Sequence, residues 1–123
     1  MSTGLERTVD VIPTAERASS LWRLAVLGQQ EAAPDHCEFY ALAGELVATL
    51  RALEALAAVL ARQVAGYGRG RVLRDDAGLA PGVRLADAVV LLGYSGKSLA
   101  QAQAAANEFW SAIGHVAVED RAR

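Results

Sequence analysis

From Asp35 onward, apolar residues return at alternating intervals of three and four. The series is Phe39, Leu42, Leu46, Thr49, Leu53, Leu56 and Leu60. A 3.5-residue repeat marks a helix whose one side packs along another helix. Val47, Leu50 and Ala57 widen that stripe. Asp35 suits a helix N-cap, and Glu38 three residues later completes a capping-box pattern. Gly66 supplies a stop. The pattern predicts a helix over 35–65.

A second repeat is longer still. Leu85, Val89, Leu92, Gly96, Leu99, Gln103, Ala106, Trp110 and Ile113 keep spacings of four and three without a slip. One helix over 83–114 is expected, passing through Gly93 and Gly96. Each exposed glycine costs such a helix about 1 kcal/mol relative to alanine. Close approach of a neighbouring backbone would explain them, and a kink there is the alternative. Between the two helices, residues 66–82 hold five glycines and a proline and read as a loop.

Upstream the signal is weaker. Pro13 and Thr14 suit a helix start, and Leu21, Leu24, Ala25 and Gly28 share one face, with Trp22 and Val26 beside them. This predicts a shorter helix over 14–30, stopping before Pro34. Residues 1–12 and 115–123 read as terminal arms. Each holds a valine-rich alternation, at 8–12 and 115–119, which could pair as strands but is read first as frayed ends.

Two 30-residue helices joined by a loop imply an antiparallel hairpin. The fold class is therefore all-α: a short N-terminal helix plus a long helical hairpin, in one domain over 1–123. The hairpin helices carry few charges. The later one has only Arg84, Asp87, Lys97 and Glu108. A helix apolar around much of its circumference needs burial on more than one side. A dimer of hairpins, closing a helical bundle, is the expected solution. The residues expected to form the contacts are Leu46, Leu53, Leu56, Leu60, Leu85, Val89, Leu92, Leu99, Trp110 and Ile113.

Composition narrows the classes. Of 123 residues, 53% are hydrophobic and the net charge is -2, so no global basic field draws in nucleic acid. One cysteine excludes an internal disulfide. No apolar stretch is long enough to span a bilayer, and no signal-peptide pattern opens the chain. A soluble, cytoplasmic protein is expected. Alanine and arginine in place of isoleucine and lysine suggest a GC-rich, bacterial coding bias.

Candidate chemistry is sparse. Gly93-Tyr94-Ser95-Gly96-Lys97-Ser98 ends like a phosphate loop. The position where that motif needs its first glycine is Leu91, and no strand precedes it. The uninterrupted helical repeat is the better reading. His36-Cys37 at a helix start could favour a thiolate, but an ordinary cysteine is the commoner case. One cysteine and two distant histidines give no metal pattern. No catalytic residue, cofactor or metal is expected. Arg62, Arg69, Arg71 and Arg74, with Tyr67, form the only basic cluster, partly offset by Asp75 and Asp76. A solvated loop is its plainer reading, and an anion or nucleic-acid contact the alternative.

Two helical arms of similar length in a chain of this size resemble, in architecture, the small type VII-secreted WXG100 proteins. This chain has Gly66-Tyr67-Gly68 where those carry Trp-x-Gly, and no Tyr-x-x-x-Asp/Glu signal follows its last helix. The resemblance therefore implies the hairpin and no activity. The expected function is a non-catalytic protein-interaction or assembly module, homodimeric or paired with another helical protein. The alternative is a small nucleic-acid-binding accessory protein using the arginine loop.

Overall fold

The computed structural model describes residues 8–119 and contains three helices among them: α1 (Val11–Glu31), α2 (His36–Ala65) and α3 (Pro81–Gly114). No strand occurs among the described residues, so the valine-rich alternations near the two ends form none. Residues 1–7 of the N-terminal arm and 120–123 of the tail lie outside the described residues. The chain divides into two units, Met1–Asp35 and His36–Arg123.

In the first unit, α1 begins earlier than the Pro13-Thr14 signal suggests. Asp10 accepts from the Thr14 backbone N–H at 3.1 Å and from its Oγ1 at 2.8 Å. This closes a first turn that already contains Pro13. Proline is tolerated there because first-turn N–H groups have no intrahelical acceptor. The helix buries none of its residues. Leu21, Leu24 and Leu27 on it are exposed.

The second unit is the hairpin. α2 and α3 pack against each other along their length. They are antiparallel: Gly44 lies against Trp110, Ala57 against Gly96, and Gly68 against Leu85. α3 is continuous through both internal glycines. Gly96 faces Ala57 at van der Waals distance, whereas Gly93 has nothing near it. A Cβ at either position would fit without a clash, so close approach requires glycine at neither.

The seam on α3 lies where its repeat places it. Leu85, Val89, Leu92, Gly96, Leu99, Gln103, Trp110 and Ile113 are half-buried and Ala106 is buried. The seam on α2 does not. Ala43, Val47 and Ala57 are buried, with Leu50, Ala61 and Val64 half-buried in the same series. The contact line is thus displaced from the leucine repeat by one residue, or about 100° of helix rotation. The residues expected only to widen the stripe are its centre. Small side chains win the contact because they let two backbones approach. Gly44 shows this directly, since a Cβ there would sit 3.0 Å from the Trp110 ring. At the far end Gly114 likewise clears Tyr40, whose ring lies 5.7 Å from that of Trp110.

Buried polar atoms interrupt the seam at Gln103, His36 and Trp110. Gln103 Oε1 accepts no hydrogen bond from the chain. A polar group in such a seam costs stability and favours one register over its neighbours.

Candidate functional site

The displaced seam leaves the leucine repeat on the outside. Phe39, Leu46, Leu53, Leu56 and Leu60 are 36–46% exposed, and Leu42 and Thr49 between them are half-buried. In an antiparallel pair, positions one residue before each seam fall on the same face of the hairpin. On α3 those positions are Ala88, Leu91, Ser95, Ser98, Ala102, Ala105, Phe109 and Ala112. Arg84, one residue before Leu85 at the loop end of α3, is the one charged residue in the two rows. The outcome is a broad, largely uncharged face: a ridge of large side chains along α2 beside an α3 row that is small from Ser95 to Ala105 and bounded by the exposed Leu91 and Phe109.

The buried core is slight by comparison. Among the described residues the buried apolar set is Ala43, Val47, Ala57 and Ala106. Val47, 1% exposed, is the one large side chain fully enclosed. Of the ten residues expected to make contacts, Leu46, Leu53, Leu56 and Leu60 lie on this open face. Leu85, Val89, Leu92, Leu99, Trp110 and Ile113 instead line the seam between α2 and α3.

The opposite face is different in kind. It presents Arg51, Arg62 and Lys97 among alanines and glycines and carries shallow clefts. One, of about 740 Å³, lies at the open end of the hairpin between His36, Cys37, Tyr40, Asn107, Trp110 and Ser111. Cys37 Sγ is 3.7 Å from His36 Nε2, and the thiol is exposed. His36 Nδ1 and Trp110 Nε1 are buried and make no hydrogen bond within the chain. Among the described residues no three His, Cys, Asp or Glu side chains converge on a point where a metal could sit.

The connecting loop is braced rather than open. Asp75 accepts from Arg84 Nε at 2.7 Å and Nη2 at 3.2 Å, and from the Ala77 and Leu79 backbone N–H groups at 2.9 and 3.1 Å. Gly70 and Gly78 supply the left-handed backbone conformations the loop requires. Of the basic cluster, Arg71 is folded back. Its guanidinium lies 4.3 Å from the Tyr67 ring centroid and donates to the Tyr67 carbonyl at 2.9 Å. The Arg69 guanidinium lies against Gly66, and Arg62 and Arg74 are exposed.

The Arg84 guanidinium, and then the Leu79 and Ala77 N–H groups, hold the Asp75 carboxyl at about 2 rather than its ordinary 3.8. A carboxyl lowered in the folded chain stabilises the loop only while ionised. Its contribution is full above the ordinary value and is lost as pH falls through the folded one. Protection of the Ala77 and Leu79 amides, relative to their intrinsic exchange, should therefore be flat above about pH 4 and fall toward about pH 2. Asp75→Asn should remove that pH dependence. Unchanged protection down to the lower limit in the unsubstituted chain would show that the brace is not what holds the loop.

The Gly-Lys-Ser segment lies wholly within α3, so it forms no phosphate-binding loop. No helix among the described residues is long and apolar enough to cross a membrane. No family model, curated protein or solved structure matches the chain.

Proposed function

We propose that the chain is a non-catalytic protein-interaction or assembly module that works by burying the leucine face of its hairpin against another helical surface. The observation that carries this reading is the side that α2 turns to the seam: its buried residues are Ala43, Val47 and Ala57, and its leucine repeat stands outside at a 3.5-residue spacing of its own. A helix with two contact lines about 100° apart suits a bundle, where each helix touches two neighbours. The hairpin occupies one of those lines and a partner takes the other. The arginine-loop alternative is less favoured, because the Arg71 guanidinium is already engaged by Tyr67.

Leu53→Asp tests the reading. The side chain is 43% exposed in the hairpin, so the helices should still form. A carboxylate placed in the apolar contact should cost roughly 3 kcal/mol or more, about a hundredfold in dissociation constant. Light scattering after gel filtration should find a multimer of the 12.9 kDa chain, and a helical monomer for the variant. An unsubstituted chain that is monomeric, and that unfolds on this substitution, would mean the face belongs to the chain's own core.

A further inference from the structure

We infer that the occupant of the leucine face is a second copy of this chain, with the α2 ridge of each copy seated on the small-residue row of α3 in the other. The inference rests on the interaction reading above and adds to it the partner and the pairing.

Area is the first support. The ridge from Phe39 to Leu60 is about 32 Å long at 1.5 Å per residue. Two helices about 9 Å apart present a face about 18 Å wide. Each copy would cover about 600 Å², so a pair would bury about 1,200 Å², the lower bound of specific interfaces. A patch of that size is also the upper limit of what monomers expose.

The shape of the face is the second support. It carries both halves of a contact side by side, a ridge and a shallow row, and a twofold axis parallel to the helices superposes each on the other. Leu46 and Leu53 then meet Ala102, Ala105 and their neighbours, and every adjacent helix in the resulting four-helix bundle is antiparallel. Large against small lets side chains interdigitate at even spacing. The other twofold, perpendicular to the helices, would set leucines on leucines and alanines on alanines, which forces uneven separations. Glu45 and Glu108 come near each other at the outer rim of the favoured pairing. Both are exposed, so they stay hydrated, and added salt should tighten association modestly.

The seam register places Thr49 level with Ala105. In a Cys37→Ser background, one tagged chain carries Thr49→Cys and a differently tagged chain carries Ala105→Cys. The two are co-expressed, purified together and oxidised. A disulfide needs Cα atoms within about 7 Å, so the mixed product should exceed the Thr49→Cys self-product by about tenfold. Leu53→Cys with Ala102→Cys reads the same pairing one turn along. Mass measurement accompanies both, with twice the chain mass expected. A dimer cross-linked mainly by Thr49→Cys to itself, or by neither mixed pair, overturns the pairing and leaves the interaction reading intact. A monomer that remains folded with Leu53→Asp overturns the second-copy assignment alone. A monomer that unfolds with it overturns both.

Discussion

Val47→Asp should unfold the hairpin, while Leu46→Asp, one residue away, should leave it folded. Val47 is the one large side chain fully enclosed, 1% exposed, between Ala43 and Ala57 in the seam. A carboxylate there would be buried with no cation to pair with. Leaving a charge uncompensated inside a protein costs roughly 3–5 kcal/mol even after relaxation. Marginal domains have only about 5–15 kcal/mol in total, and this hairpin, with so few buried residues, belongs at the low end. Leu46 points about 100° away from that seam. Its replacement removes apolar area from the open face and leaves the helix contact untouched. Far-ultraviolet circular dichroism with thermal melts, at concentrations where each variant is monomeric, separates the two outcomes. Equal loss of helix in both variants would mean the seam is broader than its geometry indicates, and would also remove the distinction between core and open face on which the functional proposal depends.

Gly44→Ala should be the most destabilising single-methyl change in the hairpin. The added Cβ would lie 3.0 Å from Trp110 Cζ2 and 3.3 Å from Cε2, at the tight limit of such contacts, so the ring would have to give by a few tenths of an ångström. Alanine is the better helix former by about 1 kcal/mol, so propensity alone predicts stabilisation. Overpacking of a rigid ring costs about 1–3 kcal/mol. Tyr40 packs against the Trp110 ring on one side, so it cannot simply step aside. Net destabilisation of about 1 kcal/mol or more is expected, with the steric cost exceeding the propensity gain. Phenylalanine lacks the outer ring atoms that clash. The double variant Gly44→Ala/Trp110→Phe should therefore be more stable than the sum of the two single changes, because residues in contact do not behave additively. Urea denaturation of the four proteins measures that coupling. Strict additivity would mean that Gly44 is present for some reason other than clearance of Trp110.

These two predictions turn on the part of the fold that was least legible along the chain. Helix existence and direction were readable, because leucine and alanine favour helices and the glycine-rich 66–82 segment can only separate them. The α3 seam was readable as well. Its contact side chains, from Leu85 to Ile113, are mostly large, so the hydrophobic period and the packing period coincide. On α2 they diverge. The visible repeat is built of leucines, and the buried one runs through His36, Tyr40, Ala43, Val47, Leu50, Glu54, Ala57, Ala61 and Val64. A histidine, a glutamate and three alanines make that second series look unfavourable. Yet its 3.5-residue spacing is as regular as the first, and Gly44 beside Ala43 was a sign that a neighbour comes close there.

The same difference governs the candidate site. Sequence pattern alone determined an all-α chain with one short and two long helices, the antiparallel hairpin and the excess of apolar surface, since each follows from local propensity, chain punctuation and area. It could not determine which of two adjacent repeats on α2 would be buried, because hydrophobicity is a property of each residue and contact is a property of pairs. Tertiary structure made that choice. Ala43, Gly44 and Ala57 on α2 leave room for large α3 side chains such as Trp110, and the leucine repeat of α2 is turned outward as a result.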